Sequence, residues 1–377
     1  MNRLFSTSIP IFAIFMSIML CRCDDELRVV YPKQELEVKK ETVFTVDSPF
    51  WSRDDAKLLF IGHLVGDPGD GFYEVDPQGG HVQLLALDTL AKRDPVLSPD
   101  GTMIAYLAAH KFRLYGFPHV WVINRDGTNP RDLTPMGGCW EYVRWSPDSR
   151  YLLFDGGVEE FGEIHKQIIR ADVITGELKM LTRGTYDNLD ASYSDDGGQI
   201  VYASHKITTE YGAKVWIMNS DGSHQVPLDS SKRATIFPRI RPHRNEVWFS
   251  FGMDGSEDEG TYSVRIDSAI FPTSHKHFQF RSRDHFVRDC QWSPDGSRVI
   301  SLMRTSSLTD DLYVTDGDTY NPQFVTSGFE VYLMAQIWST AGEKMVFQAS
   351  NRRDTTLFTY IYDVGRGQLG PIPILFP

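Results

Sequence analysis

Basic residues are too few in this sequence for a protein that binds a polyanion. Its 377 residues include 38 Lys and Arg against 50 Asp and Glu, which gives a formal net charge of -12 at pH 7. Nucleic-acid binding depends on clustered Lys and Arg, and no basic stripe occurs along the chain. We therefore expect no nucleic-acid partner, and we interpret the acidic balance as a feature that keeps the protein soluble.

The common catalytic and metal-binding motifs are also missing. The sequence contains no G-x-S-x-G, which argues against the nucleophile elbow of an α/β hydrolase. It contains no H-E-x-x-H and no pair of C-x-x-C motifs, which argues against the common zinc sites. We therefore predict no catalytic residue and no required cofactor.

Long hydrophobic runs are absent outside the first residues. Residues 9–20 are mostly apolar, follow the single basic Arg3 and precede Cys21-Arg22-Cys23. This pattern is typical of a signal peptide, and its apolar core is too short for a comfortable membrane span. We predict a signal peptide over residues 1–23, no transmembrane span after its removal, and a secreted or periplasmic protein. Lipid anchoring at a cysteine is the alternative, and it would make the protein envelope-associated.

One turn sequence recurs along the rest of the chain. Ser293-Pro294-Asp295-Gly296 lies between two β-rich runs, and its residues suit the successive positions of a tight hairpin turn. Similar stretches recur about every 48 residues, a period typical of propeller blades. The aligned position is occupied by Ser52, Ser98, Ser146, Ser194, Arg241, Ser293 and Ser339.

Each repeat continues with a second hairpin. In the second repeat, residues 119–123 form a β-rich run, Asn124-Arg125-Asp126-Gly127 carries an Asp-Gly turn signal, and residues 131–134 form the last run. Four antiparallel strands per repeat predict blades arranged around an axis, because that arrangement leaves only short strand edges. We therefore predict an all-β fold, a seven-bladed β-propeller of four-stranded antiparallel blades.

These motifs resemble the PD40 (WD40-like, TolB-type) β-propeller repeat over residues 48–377. Two repeats depart from the pattern, with Arg241-Pro242-His243 in the fifth and Ser339-Thr340-Ala341-Gly342 in the seventh. TolB proteins also place a separate α/β domain before their propeller. Here only residues 24–47 stand between the predicted signal peptide and the repeats, and we predict that they form an N-terminal leader.

Two cysteines remain after the predicted cleavage, Cys139 in the third repeat and Cys290 in the sixth. Those repeats are not neighbours in a ring of seven, and a disulfide needs Cα atoms within about 7 Å, so we predict no disulfide. We expect the ring to close by packing of the last blade on the first, with residues 367–375 as the outer strand of the last blade. The alternative is that residues 27–31 supply that strand.

Binding residues are expected on the face that carries the variable loops, because turn geometry explains Asp100, Asp148 and Asp295. Five repeats place a carboxylate just before the innermost strand, and two of these have an arginine beside them. The seven residues are Asp47, Arg93, Asp94, Glu141, Asp190, Arg288 and Asp289. We predict that they form a ligand site at the mouth of the central channel that favours cations. The alternative is that the acids cap strand ends or pair with the arginines.

Histidines offer a second hypothesis. His63, His110 and His205 each fall just after the second strand of their repeats, on the loop face. Metal-dependent oligogalacturonide lyases resemble this architecture and bind a divalent cation through propeller histidines, which would imply a metal near these three residues. The competing interpretation is that the imidazoles cap loops, since the three repeats are spread around the ring.

The sequence favours a monomeric, non-enzymatic scaffold that binds a protein or peptide, in particular a basic one. A metal-dependent enzyme resembling oligogalacturonide lyase and a cell-surface structural or adhesion module are the alternatives. Because propellers host many functions, this step depends partly on the fold.

Overall fold

The structure is a computed structural model that describes most of the chain after residue 43. The described residues are 44–64, 66–110, 118–135, 139–160, 162–205, 213–228, 235–251, 260–266, 275–279, 286–304, 310–318, 321–333, 336–351 and 354–375. All regular structure in these residues is β-strand, without a helix, and so none of them forms a helix that could cross a membrane. The predicted signal peptide and N-terminal leader lie outside the described residues.

The first five sheets each contain four main strands in sequence order. The first sheet contains β1 (Phe44–Trp51), β2 (Leu58–Leu64), β3 (Gly71–Val75) and β5 (Gln83–Leu87), with the short β4 (Gly80–His81) before its last strand. The second contains β6 (Leu90–Leu97), β7 (Met103–His110), β8 (His119–Asn124) and β9 (Arg131–Asp132). The third contains β10 (Cys139–Trp145), β11 (Tyr151–Glu160), β12 (Glu163–Asp172) and β13 (Leu178–Met180).

The fourth sheet contains β14 (Asp187–Tyr193), β15 (Gln199–His205), β16 (Lys214–Asn219) and β17 (Val226–Pro227). The fifth contains β18 (Thr235–Ile240), β19 (Glu246–Phe251), β20 (Gly260–Arg265) and β21 (His275–Gln279). The sixth sheet has seven strands: β22 (Phe286–Trp292), β23 (Arg298–Arg304), β24 (Asp310–Asp316), β25 (Pro322–Tyr332), β26 (Lys344–Asn351), β27 (Asp354–Asp363) and β28 (Gln368–Pro371). The last strand, β29 (Ile374–Leu375), pairs in parallel with β4.

The sheets form a closed ring around their first strands. Contacts link β1 to β6, β6 to β10, β10 to β14, β14 to β18 and β18 to β22, and β26 then contacts β1. The apolar core is divided among the spaces between neighbouring sheets. Leu107 and Val122 of the second sheet, for example, share one buried cluster with Val143 and Phe154 of the third. Because each interface has its own core, the ring grows without one large central core.

The recurring turns have the structural role that their sequence predicts. In the second sheet Ser98 Oγ donates a 2.6 Å hydrogen bond to Asp100, and the Met103 amide donates to Ser98 Oγ at 2.9 Å. Asp148 and Asp295 accept the same hydrogen bond from Ser146 and Ser293. These carboxylates therefore hold the first hairpin of the second, third and sixth sheets.

Arg241 explains the departure of the fifth repeat from this pattern. Its guanidinium donates to the carbonyls of Gly296 and Gly317, each at 2.9 Å, and to the Asp318 carboxylate at 2.7 Å. All three partners belong to turns of the sixth sheet, so the arginine replaces a bond within one turn with bonds between sheets.

The first and last parts of the ring are joined by side chains and by the C-terminal strand. Asp55, in a turn of the first sheet, accepts hydrogen bonds from the Thr340 and Ala341 amides at 2.6 and 2.9 Å. Gln348 donates to the Val46 carbonyl at 2.8 Å and accepts from the Ser48 amide at 3.2 Å. These contacts bridge the sixth sheet and the first.

The predicted outer strand over residues 367–375 needs a correction. Only β28 takes the outer position beside β27, while β29 leaves that sheet and pairs with β4 of the first sheet. The Gly80 amide donates to the Pro373 carbonyl at 2.9 Å just before this pairing. The C-terminus therefore helps to close the ring by a route that the repeat pattern does not predict. The alternative strand over 27–31 lies outside the described residues.

Candidate functional site

The innermost strands share an irregularity that positions the predicted acidic residues. The residue four places before the aligned turn position has a left-handed backbone in four sheets, with φ of 51° at Ser48, 52° at Asp94, 53° at Asp190 and 55° at Phe237. The pairing register with the second strand shifts at each of these places, as in a β-bulge. Aspartate tolerates this conformation better than most residues, so the backbone gives one reason for its recurrence.

Asp190 lies in a buried ion cluster between three sheets. Its side chain is 2% exposed, and its Oδ2 accepts a 2.8 Å hydrogen bond from Arg239 Nη1 of β18. Arg144 Nη2 of β10 lies 3.9 Å from its other oxygen. Two arginines on neighbouring innermost strands thus balance this carboxylate, as the alternative interpretation of the acidic ring anticipates.

Asp94 is more accessible and has a weaker partner. Its side chain is 35% exposed, and its Oδ2 lies 3.7 Å from Nε of the adjacent Arg93. An exposed pair at this distance neutralises only part of the charge, because solvent screens it.

Asp47 lies on β1 and has no cationic partner within the described part of the chain. The residue is solvent-exposed, and its carboxylate accepts a 3.0 Å hydrogen bond from Ser48 Oγ. Partial desolvation by the surrounding protein atoms is nevertheless the largest effect on this carboxyl and raises its pKa. The Ser48 hydrogen bonds lower the pKa, and the nearby negative charge of Asp70 raises it. Desolvation and the charge of Asp70 therefore both disfavour the ionised form of Asp47.

Asp70 contributes a second negative charge, which the sequence pattern did not single out. It follows the loop after β2, and its carboxylate accepts a 2.7 Å hydrogen bond from the Lys92 amide. His63 Nδ1 lies 3.4 Å from it and 3.1 Å from the Gly69 carbonyl. The buried Lys92 ammonium contacts Asp88 and the Asp70 backbone. Loop length varies between repeats, so only the closely spaced Gly and Asp of residues 66–71 mark this loop in the sequence.

The structure describes the remaining predicted residues only in part. Glu141 lies on β10, and Arg288 and Asp289 lie on β22, but their side chains are outside the described set. The same holds for the His110 side chain. His63, His110 and His205 belong to the first, second and fourth sheets, and no group of three His, Cys, Asp or Glu suited to a metal occurs among the described residues. His205 Nδ1 is buried and has no hydrogen-bond partner among the described residues.

Solved structures with the same fold are numerous, although no family model and no curated protein matches the sequence. An oligogalacturonate lyase in complex with manganese is 13% identical, with a TM-score of 0.60 over 89% of this chain and 85% of that one. Prolyl oligopeptidase B from Galerina marginata is 13% identical, with a TM-score of 0.65 over 88% of this chain. The match covers 51% of that protein, so this chain spans about half its length.

A putative TolB from Agrobacterium tumefaciens is 20% identical over 85% of this chain and 90% of its own, but its TM-score of 0.47 is too low to support a conclusion. At these identities the likeness concerns the fold alone. Membership of the PD40 repeat family therefore stays a prediction, whereas the likeness and the ring of antiparallel sheets together identify the chain as a β-propeller.

Proposed function

We propose that the propeller has seven blades. The seven-stranded sheet divides at Phe329, because β25 pairs with β24 up to this residue and with β26 from it onward. Trp338 then bridges to Met345 at the inner side of β26. Strand β25 thereby serves as the outer strand of one blade and begins the inner strand of the next, so the sheet counts as two blades. With the five four-stranded sheets this gives seven.

We propose that the protein is a non-enzymatic scaffold that binds a basic protein or peptide at the loop-face mouth of the channel. The observation that carries this proposal is the Asp47 carboxylate, which is exposed, lacks a cationic partner among the described residues and lies near Asp70. Asp94, partly balanced by Arg93, extends the acidic surface to the second sheet. The proposed site also includes, by their position in the repeat, Glu141, Arg288 and Asp289. Asp190 is buried and paired with Arg239 and Arg144, so it stabilises the innermost strands next to the site.

The electrostatics of the mouth explain why a cation would bind there. Partial desolvation and the negative charge of Asp70 disfavour the ionised form of Asp47, so the pKa of Asp47 is raised. A bound ammonium or guanidinium group would relieve both effects and stabilise the charged form. A concave surface also focuses the field and speeds capture of an oppositely charged ligand.

A charge-matched pair of peptides tests this function. Pentalysine and pentaglutamate are titrated into the protein at low and at physiological salt, with affinity measured by calorimetry. We expect pentalysine to bind and to weaken as salt rises, since exposed charges are screened over about 10 Å at 0.1 M ionic strength. Equal binding of both peptides, or binding of pentalysine that salt does not change, would contradict the proposal. A pull-down from the native envelope fraction then identifies the partner.

A metal-dependent enzyme is the second candidate. It is favoured by the likeness in fold to a lyase solved with manganese and by the approach of His63 to Asp70 at 3.4 Å. Oxygen and imidazole ligands suit manganese. Asp47 would supply a further oxygen ligand, because it lies near enough to Asp70 for the charge of Asp70 to raise the pKa of Asp47. Metal analysis of the purified protein separates the candidates, because stoichiometric manganese or zinc would favour the enzyme.

We also propose that the protein is exported to the periplasm or the cell exterior and that it is a monomer.

A further inference from the structure

A cavity of about 370 Å³ occupies the opposite end of the channel, beside the recurring turns. Residues from the first three sheets and from both halves of the seven-stranded sheet line it. Its walls include the side chains of Trp145, Trp292 and Trp338, together with prolines of the turns. The volume lies in the range of small-molecule sites, which are mostly apolar with a few placed polar groups.

Arg53 is the sole charged residue among the described residues that line this turn-face cavity. It is exposed and forms no hydrogen bond or ion pair within the described part of the chain. No carboxylate is among the described residues that line the cavity. Asp55, Asp100 and Asp295 belong to turns beside the cavity, but each already accepts hydrogen bonds from an amide or a serine hydroxyl of a turn.

Gln336 supplies a second donor to the same cavity. Its Oε1 accepts a 2.9 Å hydrogen bond from the Leu97 amide, which fixes the orientation of the side-chain amide. The amide nitrogen consequently remains as the donor, and it has no partner among the described residues. A guanidinium and an amide N–H₂ suit a carboxylate, which accepts several hydrogen bonds and pairs with arginine through both oxygens.

We propose that the turn-face cavity binds a carboxylate carried on an apolar body. The carboxylate contacts Arg53 and Gln336, while the apolar part lies against the tryptophan side chains. Two sources have this chemistry, the C-terminal residue of a peptide and a free aliphatic acid.

Three matched probes test the site and separate the two sources. N-acetyl-leucyl-leucine carries both features, its C-terminal amide lacks the charge, and 4-methylpentanoate lacks the peptide groups. Ligand-observed NMR and tryptophan fluorescence report binding. We expect the dipeptide acid to bind at least about tenfold more tightly than its amide, as for a charge-assisted hydrogen bond. Tighter binding of the dipeptide than of 4-methylpentanoate identifies a peptide ligand, and the reverse order identifies a free acid.

Substitutions then locate the site. Arg53→Gln and Gln336→Glu should each weaken the preferred acid about tenfold or more; the second keeps the acceptor for the Leu97 amide but replaces the donor with a negative charge. Arg183→Gln, at an exposed arginine outside the cavity, is the control and should leave binding unchanged. Circular dichroism verifies that each variant is folded. Equal binding of the acid and its amide, or equal effects of Arg53→Gln and Arg183→Gln, would overturn the proposal.

Discussion

Two aspartates at the same place in the repeat should differ sharply when their charge is removed. Asp94 and Asp190 have nearly the same left-handed backbone, with φ of 52° and 53°. Asparagine adopts this conformation as readily as aspartate does, so Asp94→Asn and Asp190→Asn change the charge without straining the backbone. The pair is therefore a comparison of electrostatic environment alone.

The contacts set the expected magnitudes. Asp190→Asn leaves Arg239, whose side chain is 10% exposed, without the carboxylate that lies 2.8 Å from it. Removing one partner of a buried ion pair costs about 3 to 5 kcal/mol, and the retained amide oxygen places this change near the lower end, about 3 kcal/mol. Asp94→Asn weakens a partly exposed contact of 3.7 Å with Arg93 and should cost less than about 1 kcal/mol.

Urea unfolding followed by tryptophan fluorescence measures this difference. The unfolding midpoint of Asp190→Asn should fall well below that of the wild type, while that of Asp94→Asn should stay close to it. Adding Arg239→Met to Asp190→Asn should recover part of the loss, because the buried guanidinium that lost its carboxylate is then gone. Equal midpoints for the two single variants would refute the ion cluster as described.

Three further predictions concern ring closure and pH. Asp55→Asn should cost about 1 to 3 kcal/mol, because Asp55 accepts two backbone amides across the closure; an unchanged urea midpoint would contradict this role. Deleting residues 374–377 removes the pairing of β29 with β4 and should lower the thermal unfolding temperature, whereas no change would show that this strand does not help to close the ring. Burial raises the pKa values of Asp100 and Asp295, but hydrogen bonds from neighbouring serine and threonine outweigh it and leave both below 3.8. Their stabilisation is therefore present above the unfolded-state pKa and is lost as pH falls through the lowered folded-state values, so urea midpoints should drop below about pH 4; midpoints that do not fall there would contradict the assignment.

The repeat predicts the sheets well because its signals are local. A serine, an aspartate and a glycine within five residues determine a turn such as that of Ser98 to Gly101, and alternating apolar residues determine the strands beside it. The pairing of β29 with β4 and the shared strand β25 are not local, because they depend on which parts of the ring meet.

The candidate site was predictable to a smaller extent. The recurring position identified Asp94 and Asp190, but only the packing shows that Arg144 and Arg239 lie on either side of Asp190. Asp70 lies in a loop whose length differs between repeats, so an alignment of the repeats does not reveal its approach to Asp47.

The affinity and stability of Asp47→Asn, measured on the same sample, test the proposed function most directly. A carboxyl whose pKa is raised by folding destabilises the folded state at neutral pH, so removing its charge should leave the urea midpoint unchanged or higher. Pentalysine should nevertheless bind about fivefold more weakly to this variant than to the wild type. Glu177→Gln changes an exposed acid in a turn on the other face, and this control should have the wild-type affinity for pentalysine. Unchanged affinity of Asp47→Asn for pentalysine, or an equal loss in Glu177→Gln, would contradict the acidic mouth as the binding site.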